Sequence, residues 1–311
     1  MYIDELNKLG IRLTSITDTI HIIQGRNRSR SPFANAVLIL DETIALLDSG
    51  CGLDIIERIC SVVPIDIVIN SHSHPDHTAG NQLIHELSGS EIIVPAESRD
   101  TIGDANKLAT RLIGPELAKL WIDTSLAFTG YRNFRSSSSF DDGYEFFFGK
   151  TRLKALHTPG HIGDHYCLWE AKQKILIGFD IDLSPWGPWY GNPESDIAAF
   201  RRSLAKIMSM PVQAYIPSHA KPVKGRYVNK RLSSYQAVFD TREQNILSLI
   251  PAGTWVSPPE VVNSSPIYGF DYNKSQNKIL MYDETNMVQK HLDQLVEKEK
   301  IKAHDGLYRK I

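Results

Sequence analysis

This 311-residue sequence predicts a mixed chain of strands and helices followed by a smaller helical unit, and three observations lead there. Short β-branched runs end directly at histidines or aspartates, apolar residues at helical spacing follow the first of them, and beyond residue 228 helical periodicity replaces the strand signals. The apolar fraction of 42% and charged fraction of 23% are those of a globular protein with a sizeable core. The length allows about two domains, placed at 1–228 and 229–311.

The runs Val37 to Leu40 and Ile44 to Leu47 flank Asp41-Glu42-Thr43 as the arms of a hairpin. Ile65, Ile67, Val68 and Ile69 then form a strand that ends at Ser71-His72-Ser73-His74-Pro75-Asp76-His77, after which Ala79, Leu83, Ile84 and Leu87 recur at helical spacing. The histidine-rich segment is therefore expected on a loop between strand and helix, where open α/β sheets carry ligand chemistry. Residues 96–128 read as amphipathic helices through Leu108, Leu112, Leu117, Leu120 and Trp121, and Ser136 to Ser139 as a flexible loop. Three later strands end in the same manner as the first. Leu153 to Leu156 leads into Thr158-Pro159-Gly160-His161, the hairpin of Tyr166 to Trp169 and Lys174 to Phe179 ends at Asp180, and Ala214 to Ile216 leads into Pro217-Ser218-His219.

In the second unit a helix is predicted over Ser234 to Ile250, with Val238, Ile246, Leu249 and Ile250 on its apolar face. Ser257-Pro258-Pro259-Glu260 has the form of a capping box with proline at the first helical position. A further helix over Glu284 to Lys298 repeats Val288, Leu292, Leu295 and Val296, and a small hairpin turns at His304-Asp305-Gly306. Three helices and a closing hairpin suggest a winged-helix-like module, and fit a plain accessory bundle as well.

Imidazoles and carboxylates crowded as closely as His72 to His77 are costly to position unless a cation sits among them. The alternation of His72 and His74 can hold one divalent ion and the pair Asp76 and His77 a second, within the ~3.5 to 4 Å span of two-metal sites. His161 supplies a further ligand to the first ion, His219 one to the second, and Asp180 is the candidate anionic bridge. This nitrogen and carboxylate donor set suits two zinc ions best, and iron or manganese also fit it.

The ordered set His72-x-His74-x-Asp76-His77, His161, Asp180 and His219, with the turns Asp48-Ser49-Gly50 and Thr158-Pro159-Gly160-His161, resembles the metallo-β-lactamase fold superfamily over about Ile11 to Lys224. Within it, the pattern and the C-terminal extension are similar to the lactamase-beta-2-like and hydroxyacylglutathione-hydrolase-like groups. The resemblance implies an α+β class, a four-layer αββα sandwich of two pseudo-repeated halves, and a dinuclear site at one edge. It also implies hydrolysis by a metal-bridging hydroxide, oriented by Asp76 as the catalytic residue, on an ester, thioester or lactone. Hydrolysis of RNA or another phosphodiester, and a metal-dependent ligand sensor with a winged-helix module, are the alternatives. One departure stands out: glycine is frequent directly before the bridging aspartate in the family, whereas here Phe179 separates Gly178 from Asp180, which leaves Asp182 as a second candidate. Relatives performing oxygen chemistry usually carry an acidic residue where this chain has His74, together with a flavin domain, so a redox di-iron role is disfavoured.

The net charge of -2 argues against whole-surface attraction to nucleic acid or anionic lipid. From Lys230 onward eleven basic residues face ten acidic ones, a weak electrostatic footprint for DNA reading. A small-molecule substrate is expected, with no membrane partner, and a homodimer is compatible. Three cysteines without CxxC spacing and an N-terminus unlike a signal peptide lead to a cytoplasmic expectation. The loop Trp186-Gly187-Pro188-Trp189-Tyr190-Gly191 is a candidate pocket wall, with Tyr190 a candidate hydrogen-bond donor to an oxyanion. His21, His85, His157, His165, His291 and His304 are read as structural, His165 being the one that lies beside His161 and could reach the pocket.

Overall fold

Apolar runs without polar alternation form strands buried on both faces, and that rule organises this molecule. The computed structural model describes residues 2–272, 274 and 277–311. Strands β1 (Leu13–Ser15), β2 (Ile20–Ile23), β3 (Ala36–Leu40), β4 (Ile44–Leu47), β5 (Ile67–Ile69), β6 (Glu91–Pro95) and β7 (Ser138–Phe140) build one sheet in chain order, antiparallel as far as β4 and parallel beyond it. Strands β8 (Glu145–Phe147), β9 (Arg152–His157), β10 (Tyr166–Glu170), β11 (Ile175–Phe179), β12 (Ala214–Pro217) and β13 (Val223–Lys224) build the second in the order β13-β12-β11-β10-β9-β8, with β11 and β12 parallel.

The period of two along each strand divides its side chains between two cores. Ile20, Val37, Ile39, Ala45, Leu47, Ile69 and Ile93 point between the sheets, where they meet Leu153, Leu168, Ile177 and Ile216. Their neighbours Ala36, Leu38, Leu46, Val68 and Ile92 point outward, against the helices Leu53–Cys60, Asn81–Ser88 and Ala105–Ile113. On the far side Leu156, Cys167, Leu176 and Tyr215 pack on the helices Ile197–Met208 and Tyr227–Leu249. The result is the expected αββα sandwich.

Two element predictions need correction. The serine run is not a loop throughout: Ser138–Phe140 is β7, paired in parallel with Ile93 to Pro95. The first helix of the C-terminal unit spans Tyr227–Leu249, and its buried face is Val228, Leu232, Tyr235, Phe239, Arg242 and Ile246; of the predicted row Ile246 and Ile250 are buried, whereas Leu249 is exposed and Val238 only half-buried. The buried face follows helical spacing without a gap and joins two cores. Val228 to Phe239 belong to the core of the second sheet, whereas Ile246 and the following Ile250 pack with Val261, Val262, Val288, Leu292, Leu295, Ile301 and Tyr308. The predicted boundary at 228/229 thus falls inside a continuous helix.

The remaining C-terminal elements are the helices Pro258–Val262 and Lys278–Glu297 and the hairpin β14 (Ile301–His304) and β15 (Leu307–Lys310). The capping box is formed, with Glu260 accepting from the Ser257 amide and the Ser257 side chain meeting the third helical residue. No helix among the described residues is long and apolar enough to cross a membrane.

Because one helix supplies side chains to both cores, the chain is expected to unfold as one cooperative unit. Phe239→Ala empties a fully buried site where Phe200, Tyr190 and the helix meet, at a cost of about 3 to 5 kcal/mol. Urea unfolding followed by tryptophan fluorescence and by circular dichroism should shift by the same amount in both signals; separate transitions would show two independent domains.

Candidate metal centre

Four strand ends converge at one edge of the sandwich. The loop after β5 carries His72, His74, Asp76 and His77, the turn after β9 carries His161, β11 ends at Asp180, and β12 leads into His219. Their side chains form two groups: His72, His74 and His161 with Asp180, and Asp76 with His77 and His219, the ligand atoms of each group lying within 4.8 Å of one another. Nε2 of His72 and Nε2 of His161 lie 3.0 and 2.9 Å from Nδ1 of His74. Asp180 faces both groups. Its Oδ2 is 3.4 Å from His161 Nε2 and 3.9 Å from His72 Nε2, while Oδ1 is 3.0 Å from His77 Nε2 and 3.4 Å from His219 Nε2. The seven predicted ligands are therefore brought together, and Asp180 rather than Asp182 is the carboxylate that faces both groups.

The outward nitrogen of each imidazole is spoken for, which decides what the inward one can offer. His74 donates Nε2–H to Asn192 Oδ1 at 2.6 Å, His161 donates Nδ1–H to the Trp189 carbonyl at 3.0 Å, and His219 donates Nδ1–H to the Ser29 carbonyl at 2.8 Å. His77 donates Nδ1–H to Asp48 Oδ2 at 2.7 Å. Nδ1 of His72 meets the Ser71 hydroxyl at 2.9 Å, and because that hydroxyl gives its single hydrogen to Asp48 Oδ2 at 2.8 Å, it accepts from the imidazole. The inward nitrogens of His72, His74 and His161 then each carry a bare lone pair. Three lone pairs meeting within about 3 Å repel one another unless a cation lies between them, and ~2.0 to 2.1 Å metal–nitrogen bonds in a tetrahedron need ligand separations of about this size. The buried Nε2 of His77 and Oδ1 of Asp180, moreover, lie 3.0 Å apart without the alignment of a hydrogen bond, and neither has another hydrogen-bond partner among the described residues. The residues present fit divalent metal ions.

Electrostatics divide along the same line. Burial and the neighbouring imidazoles hold His72 and His161 well below the ordinary histidine range. Burial would also depress His77 and His219, but the carboxylates outweigh it: Asp180, Asp48 and Asp76 hold His77 well above its usual range, and Asp180 and Asp76 push His219 up to about 10. Burial opposes ionisation of Asp180, and His77 and His219 overcome it, keeping this carboxyl well below its usual range. The second group therefore sits in a negative potential that attracts positive charge. Asp182, by contrast, is pushed up to about 6 by burial and spends one oxygen on the Ser184 amide.

Local backbone chemistry explains the positioning. Asp48 takes the left-handed conformation (φ 57°) and accepts from the Ser71 amide and hydroxyl as well as from His77. A side chain at Gly50 would meet the Asp76 carbonyl at 1.6 Å, so this turn and the ligand loop can touch only through glycine. Phe179 resolves the departure from the family pattern: it holds φ 46°, the region where glycine is usual, at a register irregularity in the β11–β12 pairing. His165, buried beside the site, is no ligand. Its Nε2 accepts the Asp180 amide at 3.3 Å and its Nδ1 faces the Thr158 carbonyl at 3.1 Å, with burial pushing it down to about 4.

A cavity of about 490 Å³ opens onto the centre, lined by His74, Asp76, His161, Asp180 and His219 and walled by Trp186 and Trp189 as expected. Tyr190 does not line it. The ring is fully buried against Phe239, and its hydroxyl meets His291 Nε2 at 2.8 Å and Arg242 Nη1 at 3.3 Å, which corrects its assignment as an oxyanion donor. The C-terminal unit contributes Tyr235, Tyr268, Leu280 and Asp283 to the wall.

A match to the family model described as the metallo-beta-lactamase superfamily covers residues 32–219, and this span contains all seven ligands. The chain belongs to that superfamily. It is 28% identical over 123 residues to a beta-lactamase-like protein 2 homolog of Caenorhabditis elegans, covering 40% of each chain. It is 27% identical over 145 residues to a hydroxyacylglutathione hydrolase of Rhizobium etli, covering 46% of this chain and 43% of that one. The chain thus spans about two-fifths of the length of these curated relatives. The solved structure of a metallo-beta-lactamase family protein from Thermus thermophilus covers 96% of this chain and 100% of its own with a TM-score of 0.74 at 15% identity, a likeness of fold that extends through the C-terminal unit. Superfamily membership and the donor set make this chain a metal-binding protein of a generally hydrolytic family.

Sequence reasoning missed Asn192, whose Nδ2 donates to the Leu112 carbonyl at 2.8 Å while Oδ1 fixes His74. Asn192→Ala should weaken metal binding at the first group by about 10 to 100-fold with the fold retained. Competition titration with a chromophoric chelator measures this; unchanged affinity would make Asn192 incidental.

Proposed function

We propose that this protein is a dinuclear-metal hydrolase, most suited to zinc, acting on a small ester, thioester or lactone. The observation that carries the reading is Asp180, whose two oxygens each face a separate group of ligand atoms beside a largely apolar cavity. Two divalent ions held by His72, His74 and His161 on one side and Asp76, His77 and His219 on the other, with Asp180 between, would supply Lewis acidity and an acidified water. The chain's own part is orientation and exclusion. Asp76 reaches the cavity with Oδ2 3.5 Å from His219 Nε2 and Oδ1 3.9 Å from His77 Nε2, where its carboxylate can accept a proton from the attacking water and fix its direction. Trp186, Trp189, Leu112, Ile113 and Trp121 exclude bulk solvent around the acyl group.

Arg30 is the one lysine or arginine in the cavity wall among the described residues, which favours a neutral carbonyl substrate over RNA, whose phosphates need several cations. The C-terminal unit, expected to be winged-helix-like, is read as a wall of this pocket rather than a nucleic-acid reader.

Zinc-loaded protein should turn over members of an ester, thioester and lactone panel, and chelator treatment should abolish turnover and lower the melting temperature, both restored by zinc. Asp76→Ala should lose at least about a hundredfold in kcat while keeping its circular dichroism spectrum. Full turnover by that variant would overturn the proposal, and tight ligand binding without turnover would favour a sensor.

A further inference from the structure

Two adjacent acids on the Lys278–Glu297 helix have opposite surroundings. Glu284 is buried with four donors upon it: the Ser265 hydroxyl at 2.7 Å, the Ile267 and Tyr268 amides at 2.8 and 3.1 Å, and the Tyr272 hydroxyl at 2.6 Å. It ties the segment carrying Tyr268 to the helix. Asp283, one residue earlier, is 9% exposed, lines the cavity and has no hydrogen-bond or ion-pair partner among the described residues. Burial alone, with no compensating charge, holds its carboxyl well above the ordinary range. A carboxyl removed from water without a partner is costly, and the cost is recovered only when something in the cavity bonds to it.

Its surroundings say what that something is. Tyr268 and Trp189 stand beside it, the Trp189 indole nitrogen donating to the Tyr268 hydroxyl at 2.9 Å, and Trp186 stacks on Tyr268 at 5.7 Å between ring centroids. Gly191 packs against it so closely that a side chain there would meet the Asp283 Cβ at 2.9 Å. Asp182, the other carboxyl of this wall outside the candidate ligand set, lies at the His219 and Asp180 end of the cavity, and Arg30 lies exposed on a different segment. Trp186 already carries the Arg242 guanidinium at 4.1 Å from its ring centroid, and an unpartnered carboxyl beside Trp189 and Tyr268 makes a receptor for an ammonium group.

We propose that Asp283 determines specificity by receiving the amino group of a substrate whose reacting carbonyl lies at the Asp76 and Asp180 end of the same cavity. This rests on the hydrolase reading given above and adds the chemical class: an acyl compound bearing an amine at its non-reacting end.

The probes are product-like ω-amino carboxylates from 4-aminobutanoate to 8-aminooctanoate, each paired with its ω-hydroxy and unsubstituted analogues, titrated calorimetrically into zinc-loaded protein. At the best-fitting length the amino compound should bind about tenfold or more tightly than both analogues, the discrimination expected of one charge-assisted hydrogen bond. Asp283→Asn should reduce that preference to threefold or less with the affinity of the unsubstituted compound and the metal content unchanged, and Asp283→Leu should reverse it. Equal binding of all three classes, or a preference that survives in Asp283→Asn, overturns the role of Asp283, and turnover of the ester panel by the same preparation would leave the hydrolase reading standing. Failure to bind any of the carboxylates overturns the role of Asp283, and failure to take up metal overturns both.

Discussion

The Asp48 carboxylate is the interaction on which the centre depends. Buried beneath the ligand loop, it accepts from the Ser71 amide and hydroxyl and from the His77 imidazole, and through Ser71 it also sets the tautomer of His72. One anion thus orients a histidine in each group of ligands. It has these three donors because the strand β4 ends in a left-handed residue and Gly50 lets the chain pass against the Asp76 carbonyl. A neutral residue in its place would leave buried donors unpaired and the two inward nitrogens unaimed, a defect that packing elsewhere does not repair.

Strain and support are arranged around Asp180 in a similar way. Phe179 is held at positive φ, a cost of order 1 to 3 kcal/mol that a glycine would avoid. The buried phenyl ring supplies apolar contact between the sheets that glycine would lack, and His165 holds the following amide. The irregular end of β11 is therefore kept by packing on one side and a hydrogen bond on the other, with the carboxylate aimed between the two groups.

Much of this is legible in the sequence, for a physical reason. Ligands at strand ends follow short apolar runs whose type and direction local pattern reveals, so His72, His74, Asp76, His77, His161, Asp180 and His219 can be read as one set. Where side chains answer to distant partners the pattern falls silent. Asn192 and Asp48 act through contacts across 118 and 29 residues of chain. Tyr190 sits in an aromatic loop whose turns decide which ring faces the cavity, and local sequence does not encode that choice. Ser138–Phe140 is polar at its start and becomes a strand only because β6 offers an open edge. Periodicity alone makes the long C-terminal helix too short and rotated, because its true face includes Tyr235 and Arg242, and Arg242 is buried by bonding the carbonyls of Trp186 and Pro188.

That helix has one more consequence. Since Val228, Leu232, Tyr235 and Phe239 complete the core behind the second sheet while Tyr235 also reaches the cavity, the sandwich depends on the helix that opens the C-terminal unit. Chain severed near residue 228 would uncover an apolar stripe and open one side of the pocket at once. Stability and the shape of the cavity depend on the same turns of helix, so drift in the C-terminal unit reshapes the space beside the candidate ligands without touching any of them.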